Sequence, residues 1–475
     1  MSWRYFLRAD GHVMVLALVA VVFLLQVGAQ SGKTPSVDNM SIAVAAANLL
    51  DQATYSEARP AGAGGALAPG LSLAPGYPAI LAALAVFDPR MADHLRCLAA
   101  GRDGCGSGNP FRSLLLLQTL AGLIALALGC FVARELSGSV EIAGLATLLA
   151  FIMGRFVEFA VVVQPHGLLR MLALALGALL LVTHRRRSIP MAALGGVVVG
   201  VLALTEVQYV ALIVLVPLLI LAAEHVRPEP RRAFACYGAA AFALAGGLVL
   251  APWMARNHLL FGDAILTDNT VARLFSERAA YNGPSLGEML TGSLCWVPGI
   301  GDLAKLVLPT ETVRKFDLYY EGSLLFEGER ILAASGAAAG GESTFVRLLR
   351  SYVLGDPLSY AASSAILLLR GLRATGGLLV LWGLLALPLL LRRMRAHGSL
   401  GPFLMVAGAP VALAVVQALL TANLPWMNLG LVFIYAYAIA QVAGGLELPI
   451  GLRRLLAAGR AAQARKADPS GRVTA

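Results

Sequence analysis

Asp38 is the residue on which a chemistry can be built. It follows closely on the first apolar stretch and opens the string DNMSIAVAAANLLDQATYSEARP. A carboxylate there sits just outside a membrane, at the mouth of a helical bundle. That place suits a general base acting on a group held at the bilayer surface. The alternative role is N-capping, because Asp before an apolar-periodic run is a good cap for a helix over 39–50. Cationic candidates stand further along. Arg256 and Asn257 follow the seventh apolar stretch at its outer end, where an arginine meets a lipid phosphate with two parallel donors. Arg370 and Arg373 form a second cationic pair just before the eighth stretch. Arg370 joins the phosphate-binding candidates, with simple lipid anchoring as the alternative for both.

The elements that must position these groups are transmembrane helices. Of 475 residues, 58% are hydrophobic and 13% charged, and the mean hydropathy is +0.75. A soluble domain carries far less apolar residue, so the expected fold is an all-α integral membrane protein. The net charge of +10 would suggest nucleic acid in a soluble chain. Here cytoplasmic loops and anionic lipid headgroups explain it, and no nucleic-acid partner is expected.

Ten spans are expected, at 12–29, 112–134, 140–162, 167–183, 190–204, 208–223, 234–252, 376–391, 402–421 and 427–444. With Arg4 and Arg8 placed in the cytoplasm, the loops alternate sides. Arg185, Arg186 and Arg187 fall inside, as do Arg227, Arg231 and Arg232. Arg392, Arg393 and Arg395 follow, and finally Arg453, Arg454 and Arg460. One face thus collects every basic cluster between spans, which supports the count and the orientation together. The first stretch also resembles a signal peptide, with Val27 and Ala29 at the small-residue positions. Its apolar run is long for a signal, so a span is preferred.

Two outer segments exceed simple connectors, and three regions follow: 1–252, 253–375 and 376–475. In the first outer segment, 30–111, an amphipathic stretch over 39–50 leads through Gly/Ala/Pro-rich 60–76 to a short apolar stretch at 77–88. The last reads as an interfacial or re-entrant helix. The second, 253–375, mixes polar sequence with apolar-basic helices around 343–371, broken by Pro357. No fixed-period repeat and no inverted pair of half-chains is evident. Of five cysteines, Cys97 and Cys105 lie close together in the first outer loop and are the disulfide candidate, with Cys295 a competing partner. Nothing has zinc-site spacing.

The order of these pieces resembles a family. A span is followed by VDNMSIAVAAANLLDQATYS, then APGYPAILAALAVF, FRSLLLLQTLAGLIALALGCFVARELSGS and, later, LAPWMARNHLLFGDAILTDN. Together they resemble the GT-C membrane glycosyltransferases, specifically the family-39-like branch of protein O-mannosyltransferases and lipid A aminoarabinose transferases. The resemblance covers about residues 10–270, and the rest more loosely. It implies a polyprenyl-phosphate sugar donor, an outer-face acceptor and inversion at the anomeric carbon. It makes Asp38 the candidate base and Tyr55 and Tyr77 candidate cavity residues, which are otherwise interfacial anchors. No cofactor is firm, and a divalent metal is possible.

This chain departs from the pattern at three outer turns. Where the family commonly has an acidic residue before the fourth span, Pro165-His166 stands, with Glu158 one to two turns earlier. Where it often has Arg-Pro after the fifth span, the turn is Thr205-Glu206-Val207-Gln208. The last outer turn, often carrying Arg, reads Ala422-Asn423-Leu424-Pro425-Trp426. Glu158, His166 and Glu206 therefore join the cavity candidates. The expected protein is a bacterial inner-membrane glycosyltransferase with a periplasm-facing site. The alternatives are a non-catalytic carrier of polyprenyl-linked lipid and a scaffold subunit of envelope assembly.

Overall fold

The computed structural model describes residues 11–31, 37, 40–59, 67–102, 105, 109–225, 227, 229–267, 270–297, 300–317, 320–337, 344–373, 378–396 and 399–445. Arg4, Arg8, Asp38, Arg453, Arg454 and Arg460 lie outside them. Among the described residues the structure is helical, apart from one isolated parallel bridge between Val37 and Val163.

Helix occupies each of the ten stretches expected to span. Among the described residues six helices are long and apolar enough to cross a membrane: His12–Gln30, Arg112–Ser137, His166–Arg186, Val207–His225, Arg232–Phe261 and Leu400–Leu420. The apolar helices Val140–Met153, Ile189–Thr205 and Leu429–Gly444 are shorter, so six of the ten expected spans pass on length and composition among the described residues. The expected single span 140–162 is corrected. It breaks after Met153 into a six-residue helix, Phe156–Val161. The break lies at Gly154-Arg155, with Arg155 at φ 50°. A side chain at Gly154 would lie 2.6 Å from the Ala150 carbonyl oxygen, so only glycine fits. The seventh helix runs on through Pro252 to Phe261 and stops at Gly262, at φ 83°. Arg256 and Asn257 therefore ride on its last turns, not in a following loop.

The first outer segment folds into three packed helices, Met40–Gln52, Gly76–Phe87 and Pro89–Ala99. Their apolar faces share a core of Ala43, Val44, Tyr77, Leu81, Met91 and Leu95, closed by Phe111 at the head of the next span. Asp88 caps the third helix by accepting from Met91 N at 3.3 Å, and Pro89 follows it. Cys97 and Cys105 are joined, with Cα atoms 5.6 Å apart. The second outer segment is a run of short helices. Thr344–Leu354 and Pro357–Leu372 meet at 97°, because Pro357 cannot continue the helix and Asp356 caps a new one on Ser359 N. A separate core of Tyr281, Met289, Trp296, Phe316 and Leu367 ties this segment to Ala418 and Leu424 near the last outer turn.

Candidate functional site

The outer turn 162–166 is the point where the first outer segment is fastened to the bundle. Val37 bridges to Val163 there. Asp38 itself is outside the described residues. Gln118, buried on the second span, donates to the carbonyls of Val162 at 3.2 Å and Gln164 at 2.8 Å, and to the Tyr77 hydroxyl at 3.1 Å. Tyr77 is 1% exposed, so its ring is core and its hydroxyl a latch. Gly76 completes the junction: a side chain there would come within 2.8 Å of Leu204 O and Thr205 Oγ1. The loop before Tyr77 thus presses on the turn that carries Glu206.

Glu206 ends the helix Ile189–Thr205 in extended conformation. Burial alone pushes its carboxyl up to about 7. His166 opens the helix His166–Arg186, stacks its edge on Phe159 at 5.3 Å, and leaves Nδ1 buried without a partner. Glu158 turns elsewhere, to an ion pair with Arg155 at 2.9 Å, both half exposed.

Tyr55, Arg256 and Asn257 form one cluster beside this junction. Arg256 donates to Gly70 O at 3.1 Å, Tyr55 O at 3.3 Å and Asn257 Oδ1 at 2.8 Å. Its guanidinium lies over Trp253 at 4.5 Å and Tyr55 at 5.7 Å. Asn257 donates to Ile265 O at 2.7 Å and Trp253 to Leu266 O at 2.7 Å. Tyr55 donates to Leu73 O at 2.9 Å. Burial, then the nearby Glu57 carboxylate, raises its hydroxyl well above the ordinary tyrosine range and keeps it a neutral donor. Arg256 is therefore a clamp holding loop 67–75 to the seventh helix, with its half-buried guanidinium already engaged.

Arg370 belongs to a different cluster. It is 3% exposed, donates to Tyr281 OH at 2.7 Å and Ala422 O at 3.3 Å, and lies 4.1 Å over Trp296. The structure does not gather Arg256 and Arg370 around one point by any shared contact. Among the described residues, no three His, Cys, Asp or Glu side chains assemble a metal site.

Gln118 and Arg170 are among the buried polar residues that sequence reasoning missed. Arg170 did carry a signal, being a charge inside the expected fourth span, where ionisable residues are rare and functional. Gln118 carried none, since its partners are backbone carbonyls set by the fold. What the junction offers chemically is a set of neutral hydrogen-bonding groups and one easily protonated carboxyl, at one end of an apolar bundle.

No family model and no curated protein matches this chain. Solved structures do. The apo oligosaccharyltransferase of Archaeoglobus fulgidus superposes with a TM-score of 0.52 at 13% identity, over 93% of this chain and 51% of that one. The same organism's oligosaccharyltransferase AglB, in complex with an inhibitory peptide and a dolichol-phosphate, gives 0.51 at 12% identity, over 100% of this chain and 53% of that one. ArnT from Cupriavidus metallidurans, bound to undecaprenyl phosphate, gives 0.37 at 13% identity, over 92% and 79%, too low a score to add to the assignment. This chain spans about half the length of the oligosaccharyltransferase. Its fold is shared with these oligosaccharyltransferase structures.

Proposed function

We propose that this chain is an inverting membrane glycosyltransferase. It moves one sugar from a polyprenyl phosphate to an acceptor hydroxyl on the outer face, in a bacterial inner membrane with the site toward the periplasm. The observation that carries the reading is the GT-C fold, whose solved relative AglB has been captured with a dolichol-phosphate. The fastening of Val37 to Val163 beside His166 adds local support.

The chemistry asks for few groups. The acceptor oxygen bonds to the anomeric carbon as the bond from that carbon to the phosphate oxygen breaks. The acceptor loses its proton to a base, and Asp38 is assigned that role. The departing phosphate is already ionised, so it needs donors and no protonating acid. A single displacement inverts the anomeric centre, and one carboxylate suffices where a double-displacement hydrolase would use two. His166 and Glu206 border the junction and are assigned to holding sugar or acceptor hydroxyls, and Tyr77 acts through its latch to Gln118. Arg256 acts through the loop it clamps.

The test is turnover by purified protein on a panel of polyprenyl-phosphate sugars, with Asp38→Asn alongside. Wild-type transfer that falls by at least about a hundredfold in the variant is expected. Unchanged transfer would remove Asp38 from the base role. Absence of transfer or donor hydrolysis with every lipid sugar would overturn the reading in favour of a carrier or scaffold.

A further inference from the structure

Glu224 gathers the loops at the end of the bundle opposite the junction. The helix Ile189–Thr205 runs from that end to Glu206, and Arg232–Phe261 runs from it to Arg256. Glu224 is 2% exposed. Arg187, in the turn before Ile189, reaches it at 2.6 Å, and Arg227 at 3.2 Å. Its Oε1 also accepts from Arg231 N at 3.0 Å. Both carboxylate oxygens are thereby engaged. Arg187, Arg227, Arg231 and Arg232 stand here against two carboxylates, Glu224 and Glu229, so this end keeps a positive excess. Arg232 is exposed, and no carboxylate among the described residues pairs with it. Arg231 and Arg232 also stand at the unfavourable end of their helix, Arg232–Phe261, whose first amides no side chain caps. The partial positive charge of a helix start repels cations and attracts anions. One anion at this place would answer the arginines and the helix start together.

Beside these groups the surface is hollow. A cavity of ≈ 430 Å³ lies between the last turns of Leu212–His225 and the first turns of Arg232–Phe261, far above the roughly 15 Å³ that one water needs. Its polar side holds Arg232, His225 and the already engaged Glu224, and its apolar side holds Leu221, Ala222 and Ala235. The apolar side continues beyond the cavity. Leu221 ends a row of exposed side chains, Val214, Leu218 and Leu221, at helical spacing. The neighbouring helix exposes Tyr237, Leu244 and Leu248 in the same way. Such rows on spanning helices face hydrocarbon, and Tyr237, about 7.5 Å along the axis from Arg232, is the residue type that sits at headgroup depth. The cavity therefore lies where hydrocarbon gives way to headgroups.

We infer that this cavity holds one anionic phospholipid of the adjoining leaflet, with its phosphate beside Arg232 and His225 and its acyl chains leaving along Leu221 and Ala235 into the bilayer. A soluble anion would leave the apolar half wet, and a neutral lipid would leave the arginine excess unanswered. The lipid braces the two helices whose connecting loop Glu224 ties. The site is at the other end of the bundle from His166, Glu206 and Arg256, and it stands whether or not the chain transfers sugar.

Cys236, exposed on the cavity wall, is the reporter. The delipidated full chain carries Cys295→Ser, which leaves Cys236 as the accessible thiol beside buried Cys130 and the joined Cys97 and Cys105. The rate of maleimide attachment is read with phosphatidylglycerol, with phosphatidylcholine and diacylglycerol of the same chains, and with glycerol 3-phosphate. Phosphatidylglycerol is expected to slow attachment by at least about fivefold, the protection that four-fifths occupancy gives, and each other probe by less than about twofold. Arg232→Gln is expected to weaken phosphatidylglycerol binding by about fivefold, the worth of one basic residue near an anionic headgroup. Arg186→Gln, which removes an exposed arginine at the same end but off the cavity wall, is expected to leave binding unchanged. Equal slowing by phosphatidylcholine or diacylglycerol would overturn the choice of an anionic head, and equal slowing by glycerol 3-phosphate the choice of a lipid. No slowing by any probe, or equal losses in Arg232→Gln and Arg186→Gln, would overturn the site itself.

Discussion

The second outer segment and the span bundle bury arginine in opposite ways. In the outer segment Arg278 is 0% exposed and engages all three guanidinium nitrogens. Nε donates to Ala418 O at 3.0 Å and Nη1 to Asn282 Oδ1 at 2.9 Å. Nη2 reaches Tyr360 O, Ser363 Oγ and Ser364 Oγ at 2.7–2.9 Å. Its ring partner, Tyr360, lies 4.4 Å away. Arg170 in the bundle is as deeply placed and has two aromatic faces but idle nitrogens. Burial alone therefore does not mark function. The satisfied arginine welds three segments together, and the other rests on two aromatic rings with Nε and Nη2 idle.

Removing the two charges is the sharpest way to break this comparison. Arg278→Met strands carbonyls and hydroxyls in a packed site and is expected to destabilise by about 3–5 kcal/mol. Arg170→Met in lipid-free detergent strands nothing and relieves an unpaired charge. It is expected to leave stability unchanged or raise it by about 1–4 kcal/mol. Chemical or thermal unfolding of both variants checks the pair, and equal losses would erase the distinction.

A carboxylate next in line lies between the extremes. Glu277 is 7% exposed and has an arginine partner, Arg273, at 3.3 Å. Burial outweighs that partner and pushes its carboxyl up to about 7. The folded state then holds the proton more tightly than the unfolded chain, so stability falls as pH rises from about 4.5 to about 7 and stays at the lower level above that. Unfolding midpoints at pH 5 and pH 8 should differ in that direction, and Glu277→Gln should shrink the difference. A wild-type protein more stable at pH 8 would show the ion pair to dominate instead.

The smallest effect tests the junction. Tyr77→Phe removes the hydroxyl that accepts from Gln118, while the Gln118 amide keeps Val162 O and Gln164 O. A loss of about 1 kcal/mol is expected. A much larger loss would mean that the latch, and not the ring packing, holds the first outer segment down.

Much of the fold was legible because its signals are local. Ten apolar stretches marked ten helical stretches, Pro357 marked the bend, and the paired cysteines 97 and 105 lie joined. The 140–162 stretch was misjudged because its mean hydropathy runs straight through Gly154-Arg155, and hydropathy does not see a backbone angle. The candidate site was less legible. Arg256 looked like a free cation at a membrane surface, but its acceptors are Gly70 and Tyr55, 186 and 201 residues away. Arg370 looked like its companion, yet it lies against Tyr281 and Trp296 in another core.

The sequence by itself determined the class of this protein: a bundle of apolar helices with two structured outer segments. Solvent transfer of each stretch is a property of its own residues, and the backbone of a span must be satisfied within its own helix. Only the tertiary structure decided what each polar side chain does. Gln118, Arg256, Arg278 and Arg370 find hydrogen-bond partners dozens to hundreds of residues away, and Nε and Nη2 of Arg170 find none. A hydrogen bond depends on where both ends arrive, and the chain near one end carries no record of the other.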